Sequence, residues 1–257
     1  MKTILLKKEW IHQGNLILVN RNYEIKQNIK KDYLTSFNSS YPNILLEYEC
    51  NLQLQKVLKE IHAKDQIVPV SGYRAFEEQQ EIFQTSLKEN GETFTKQYVA
   101  YPNCSEHQTG LAIDLALNQE NIDFIRPSFP FKGICQEFRN KMAHYGFIQR
   151  YTQEKEPITQ ISSEEWHFRY VGYPHSEIMK QNHQCLEEYI DYLTSFQYGK
   201  SGLAFQNYEI SYIKMDKDVI EIQIPDQETI LLSGNNVNGI IITKRRLSYC
   251  EKANHTR

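Results

Sequence analysis

Apolar residues recur at helical and at strand-like spacings along this chain, and past residue 200 only the strand-like pattern remains. Over residues 51–64, Leu52, Leu54, Val57, Leu58 and Ile61 stand at near-helical spacing behind Asn51, which predicts an amphipathic helix with Asn51 as a candidate N-cap. The stretch QIVPVSGYR (66–74) reads as a buried strand ending in a glycine turn, and residues 75–91 as a second helix closed by Gly91. In GLAIDLAL (110–117) the pattern alternates: Leu111, Ile113, Leu115 and Leu117 face one side, and Ala112, Asp114 and Ala116 the other. A half-buried strand with one carboxylate on its small-residue face is the expectation. Residues 134–146 predict a helix, 147–152 a strand, and HFRYV (167–171) a strand with His167, Arg169 and Val171 on one face and Glu164 just ahead of it. A long helical pattern fills 176–196.

Between these elements, residues 15–25 suit a short strand or an extended arm. The loop 121–133, with its prolines and phenylalanines, reads as a structured cover over something apolar. Past residue 200 the residues become β-branched and aromatic, broken by DKD, PDQ and SGNNVNG, which predicts three or four antiparallel strands. The expected division is therefore a main body, 1–199, and a small β-rich unit, 200–257, whose size lets it fold alone only marginally. The last twelve residues, 246–257, are expected to fray.

Composition narrows the class. With 257 residues, 40% of them hydrophobic, the chain is long enough for one full core plus an appended unit. A net charge of −3 and short, interrupted Lys-rich pieces argue against a nucleic-acid partner. The start, MKTILLKKEW, lacks the apolar stretch of a signal peptide, and no segment approaches the roughly 18 consecutive apolar residues of a membrane span. A cytoplasmic protein without a membrane partner is the expectation. Five scattered cysteines, Cys50, Cys104, Cys135, Cys185 and Cys250, form no Cys-x-x-Cys pair, and reduced, mostly buried thiols are expected.

Candidate chemistry gathers around SEHQTGLAID (105–114) and EEWH (164–167). A catalytic zinc ion takes three protein ligands from His, Asp or Glu and leaves a position for water, and His107, Asp114 and His167 would supply such a set. Each alone has a plainer explanation as a core or surface residue, and the other six histidines keep that explanation. Asp114, however, is a carboxylate on an apolar strand, costly to bury unless it pairs or binds a cation. Gly110 and Ala112 leave room for close approach between the two candidate ligands. Glu164 would stand beside a reacting water as a proton acceptor, and Arg74, after Ser-Gly-Tyr, would meet negative charge developing on a carbonyl oxygen or else pair with Glu77 or Glu78.

SGYRAFEEQ, SEHQTGLAID and EEWHFRYVG, in this order and approximate spacing, resemble the zinc D-alanyl-D-alanine metallopeptidases, the VanX, VanY and VanXY enzymes of glycopeptide resistance and their carboxypeptidase relatives (peptidase M15). The resemblance covers roughly residues 12–180. It implies an α+β fold of the hedgehog/DD-peptidase kind, an antiparallel sheet with packed helices, here with a small C-terminal β unit added. It implies one Zn2+ per chain held by His107, Asp114 and His167, with Glu164 as general base and Arg74 polarising the scissile carbonyl. Ser105 and Gln79 match positions near the substrate. One departure is Glu165, where the family often has proline; another is the C-terminal unit, which the minimal enzymes lack.

Within the family the expected anchor-free start points to the cytoplasmic members, and the combined picture resembles the VanXY type. The implied activity is hydrolysis of D-Ala-D-Ala and removal of the terminal D-Ala from the UDP-linked pentapeptide precursor, so the expected partners are small peptides and peptidoglycan precursors. The loop 121–133 is a candidate for shaping the entrance. Two other readings share the ligand set: an endopeptidase cutting L-Ala–D-Glu bonds, and a non-catalytic zinc module of hedgehog type.

Overall fold

A computed structural model describes residues 1–226 and 228–245. The expected fraying of 246–257 lies outside the described residues. Contacts divide the chain into two compact units, Val19–Cys185 and a second made of Met1–Leu18 with the described residues from Leu186 onward. Linear reading placed one cut at residue 199; here the first strand, β1 (Lys2–Lys7), pairs antiparallel with β10 (Val219–Ile224), which draws the N-terminus into the appended unit.

Val19–Cys185 begins with an extended arm holding a bridge between Asn20 and Tyr23, then the hairpin β2 (Leu34–Asn38) and β3 (Tyr41–Glu47). Helix α1 (Tyr48–Glu60) starts four residues earlier than an N-cap at Asn51 would set it. Its N-cap is Glu47, whose carboxylate accepts the Cys50 N–H at 2.9 Å, while the Asn51 amide donates to the Ser36 carbonyl at 2.8 Å. β4 (Ile67–Ser71) follows, then α2 (Phe76–Tyr98). Gly91, at φ 80°, does not end α2 but kinks it, and the helix resumes as far as Tyr98. β5 (Ala112–Leu117), α3 (Gly133–Met142), β6 (Phe147–Tyr151), the single turn α4 (Glu156–Thr159), β7 (Glu164–Tyr170) and α5 (His175–Gln181) complete the unit.

The central sheet runs β4-β5-β7-β6, antiparallel throughout. On one face Ile113, Leu115, Phe147 and Phe168 pack with Leu54 and Val57 of α1 and Phe138 of α3. Each such side chain fully removed from water contributes about 1.5–3 kcal/mol, enough to fix which face points inward. Because side chains alternate along a strand, Ala112, Asp114, His167 and Arg169 are thereby committed to the opposite face. That face is also buried, so β5 is enclosed on both sides where the alternation had suggested a half-buried strand. The loop 121–133 does cover apolar surface: Phe129 is fully buried against Phe138 and Phe168.

In the second unit α6 (Leu186–Leu193) precedes a sheet of order β11-β12-β9-β8, formed by β8 (Leu203–Phe205), β9 (Tyr208–Lys214), β11 (Thr229–Gly234) and β12 (Gly239–Arg245). The long helix expected over 176–196 is two helices, broken where His183 takes φ 53°. Leu6, Ile11, Ile213, Met215, Ile222, Ile224, Ile240 and Ile242 form the core of this unit. The four described cysteines, Cys50, Cys104, Cys135 and Cys185, are buried. Among the described residues no helix is long and apolar enough to cross a membrane.

Candidate active site

Register brings the candidate residues together. Asp114 of β5 stands directly opposite His167 of β7 and, on its other side, opposite Ser71 of β4. His107 arrives from a 3-10 turn, Glu106–Thr109, which Gly110 ends at φ 71°. The Gly110 carbonyl accepts the Glu47 N–H at 2.9 Å, and a side chain at Gly110 would sit 3.0 Å from that nitrogen, so glycine fits both the backbone conformation and the space. His107 Nδ1 lies 2.7 Å from the Gly72 carbonyl, an acceptor, which places the ring proton on Nδ1 and leaves Nε2 as a lone-pair donor.

His107, Asp114 and His167 each offer a ligand atom, all within 4.8 Å of one another, and all three residues are buried. His107 Nε2 is 3.2 Å from Asp114 Oδ2, and His167 Nδ1 is 2.9 Å from Asp114 Oδ1. Donors bound tetrahedrally at about 2.0–2.1 Å from one zinc ion would be separated by roughly 3.3 Å, so this donor set fits that ion. Burial raises the Asp114 carboxyl, but the neighbouring His107 and His167 outweigh it and hold the group well below the usual carboxylate range. Burial also lowers His107. For His167 it is overcome by hydrogen bonds to Asp114 and Glu106, and the imidazole is raised to about 9.

Glu164, at the start of β7, points its Oε2 to within 3.8 Å of His167 Nδ1. Burial pushes its carboxyl up to about 8, with the charge of His167 opposing that shift and Asp114 adding to it. Arg74, at the turn between β4 and α2, directs Nη2 to Asp114 Oδ2 at 3.0 Å and Nε to Ser71 Oγ at 2.7 Å, so its partner is the cluster and not Glu77 or Glu78. Gln79 stands behind it, its Oε1 accepting from Arg74 Nη1 at 3.3 Å and its Nε2 donating to the Ala100 carbonyl at 2.8 Å. Ser105 is buried at the same place, and all seven predicted residues line one cleft of about 530 Å³ that runs on along α2 past Ile82 and Thr85 to Phe124 and Ile125.

Residue-by-residue reading missed Glu106. Its side chain is fully buried, its Oε1 accepts from Arg150 Nε at 2.9 Å and Arg169 Nη1 at 2.7 Å, and its Oε2 faces His167 Nε2 at 3.5 Å. Burial raises this carboxyl, yet the two guanidinium groups hold it well below its ordinary value. A signal was present: Arg169 shares the face of His167 on an alternating strand, and a buried arginine requires an acid or several carbonyls. Glu165 also has a task. Its carboxylate accepts the Phe129 N–H at 3.3 Å and its carbonyl accepts from Arg139 Nη2 at 2.8 Å, and the Arg139 guanidinium also reaches the Phe129 and Pro130 carbonyls. The departure from proline thus ties the loop to β7.

An antiparallel sheet and the 3-10 turn that leads into it bring two histidines and an aspartate beside a buried glutamate in one cleft, the donor set of a metal-dependent hydrolase. Residues 43–173 match the VanY family, D-alanyl-D-alanine carboxypeptidase, and the chain belongs to that family. It is 44% identical over 181 residues, 70% of this chain and 95% of the relative, to the bifunctional D-Ala-D-Ala dipeptidase and D-Ala-D-Ala carboxypeptidase VanXYC of Enterococcus gallinarum. Among solved structures it resembles the vancomycin resistance D,D-dipeptidase VanXYg in complex with a D-Ala-D-Ala phosphinate analog, with 50% identity, a TM-score of 0.93 and coverage of 95% of this chain and 99% of that one. It also resembles a mutant of the vancomycin resistance D,D-pentapeptidase VanY, from a VanB-type resistance cassette, in complex with Zn(II), with 29% identity, a TM-score of 0.56 and coverage of 68% and 98%. The match to VanXYg, at 95% of this chain, spans most of the appended unit as well.

Proposed function

We propose that this chain is a cytoplasmic zinc-dependent D,D-peptidase that hydrolyses D-Ala-D-Ala and removes the terminal D-Ala from UDP-linked pentapeptide precursors, and so confers resistance to glycopeptides. The observation that carries this reading is the convergence of His107, Asp114 and His167 with Glu164 and Arg74 at one end of a single cleft. One zinc ion per chain would be held by His107 Nε2, Asp114 and His167 Nδ1, supplying when bound a Lewis acid and a water acidified towards neutrality.

The protein's own groups then divide the work. Glu164, whose Oε2 lies 3.8 Å from His167 Nδ1, takes the proton of the attacking water and returns it to the leaving D-Ala amine; such proton transfer contributes about 10²–10⁴ in rate. Arg74 meets the charge that develops on the carbonyl oxygen, its orientation fixed by Ser71 and Gln79. Ser105 contributes a hydroxyl to the peptide substrate. The cleft's run along α2 gives room for a stem peptide as well as a dipeptide, which supports the carboxypeptidase half of the activity. All seven groups lie within residues 74–167, inside Val19–Cys185 and inside the 1–199 region expected to be the peptidase.

The test is mass-spectrometric release of D-Ala by zinc-loaded protein from D-Ala-D-Ala and from UDP-linked pentapeptide in parallel, with Glu164→Ala as control. Cleavage of both, lost in the variant, is expected. Zinc binding with cleavage of neither would overturn this reading in favour of an L-Ala–D-Glu endopeptidase or a non-catalytic zinc module.

A further inference from the structure

The buried Glu106 is not needed to close the site, since Asp114 and the two histidines already supply the three donors. Its surroundings are nonetheless costly. One carboxylate and two arginines, Arg150 of β6 and Arg169 of β7, all have side chains at 0% exposure. Taking such groups from water costs several kcal/mol per ion unless the geometry repays it. Here the geometry is asymmetric: both guanidinium groups bind the same oxygen, Oε1, at 2.9 and 2.7 Å, while Oε2 is turned to His167 Nε2 at 3.5 Å.

We infer that Glu106 is a positioning residue for His167: pinned by Arg150 and Arg169, its carboxylate accepts the Nε2–H of His167 and thereby presents Nδ1 to the zinc ion. An ionised carboxylate only accepts, so a ring proton faces Glu106 from Nε2, and Nδ1, 2.9 Å from Asp114, is the nitrogen left to give up its proton to a metal. His107 is set in the opposite sense, with Nδ1–H to the Gly72 carbonyl and Nε2 inward. The two histidines therefore present different ring nitrogens, each chosen by a fixed acceptor behind it. The 3-10 turn that carries His107 also carries Glu106, so one five-residue stretch, 105–109, orients both.

The inference rests on the zinc reading given above, and the experiment separates the two. Zinc affinity is measured by chelator competition for wild type and Glu106→Gln, alongside apo-protein unfolding and 15N NMR of the His167 ring. Glutamine keeps an oxygen for the arginines but turns N–H donors to Nε2, which favours the wrong tautomer. The expected result is zinc affinity weakened about 10–100-fold in a folded variant, with an Nε2–H tautomer for His167 in zinc-loaded wild type. A variant that unfolds more easily yet binds zinc as tightly as wild type would reduce Glu106 to a structural anchor and overturn the inference. If Glu106→Gln does not fold, the wild-type spectrum decides alone: a proton on Nδ1 in the zinc-loaded protein overturns it, and one on Nε2 supports it. Wild type that binds no zinc overturns the site reading itself and this inference with it.

Discussion

Val19–Cys185 encloses Glu106, Asp114, Glu164, Arg139, Arg150 and Arg169, whereas the interior of the appended unit is built from Leu6, Ile11, Met215 and a run of isoleucines. The first unit accepts the desolvation of charge; the second holds together by apolar packing and strand register. Buried ions are poor stabilisers compared with hydrocarbon of the same volume, but they fix directions that hydrocarbon cannot. The buried charges of Val19–Cys185 contact His107, Asp114 or His167, or Glu106 that faces His167, or, for Arg139, the loop beside the cleft. Where position to a fraction of an ångström matters, the chain uses ions; where only a stable body is required, it uses isoleucine.

The largest effect that would test this contrast comes from Glu164→Gln. Activity should fall about 10²–10⁴-fold, while zinc content stays at the wild-type level. Stability should not fall. Burial raises the Glu164 carboxyl to about 8 from an ordinary 4.5, so its contribution is present below pH 4.5 and lost as the pH rises through 8. A neutral amide escapes that loss, and the metal-free variant should match or exceed wild type in urea unfolding at pH 7.5. A variant that kept its activity, or that lost stability with it, would place Glu164 among the structural ions.

Ile242→Ala probes the other side. Ile242 is fully buried in the apolar cluster of the appended unit, and truncation there should cost about 2–5 kcal/mol, read as a lower urea midpoint with unchanged slope. Activity per folded molecule should stay at the wild-type value. A fall in kcat without unfolding would show that the aliphatic unit takes part in the chemistry and would break the division of labour.

Much of the site was legible because its residues are improbable where they stand. A carboxylate on an alternating apolar strand, a His-x-x-Gly turn just before it and Glu-x-x-His on a later strand have few other uses, and each of these candidates lines the cleft. Glu106 escaped because its meaning lies in arginines 44 and 63 residues away. The same reason hid β1: KTILLK is too short to be read as an element until its partner Val219–Ile224 is known. Local ambiguity explains the rest. Asn51 suits a helix start, and only the Ser36 carbonyl beyond the helix claims it for another purpose and leaves the cap to Glu47. Gly91 is as good a kink as a terminus, and the choice falls to what the following turn packs against: Thr95 is fully buried and its hydroxyl meets Ser86 across the kink at 2.8 Å.

The smallest effect concerns a histidine outside the cluster. His175, at the start of α5, is buried, and burial pulls its imidazole down to about 3 from an ordinary 6.5. Between pH 6.5 and about 3 it is therefore neutral in the folded chain but takes up a proton on unfolding. The stability it lends is fully present above 6.5 and is lost as the pH falls towards 3. Each pH unit in that window should reduce stability by about 1.4 kcal/mol on account of this one group. Other residues titrate over the same range, so the quantity to measure is the difference between wild type and His175→Gln in urea unfolding at pH 7.5, 6.0 and 5.0. That difference should shift in favour of the variant as the pH is lowered. A difference independent of pH would mean that His175 titrates in the folded chain as it does in the unfolded one and so can reach water there, while a difference that moved against the variant as the pH fell would mean that the folded chain holds its proton more tightly.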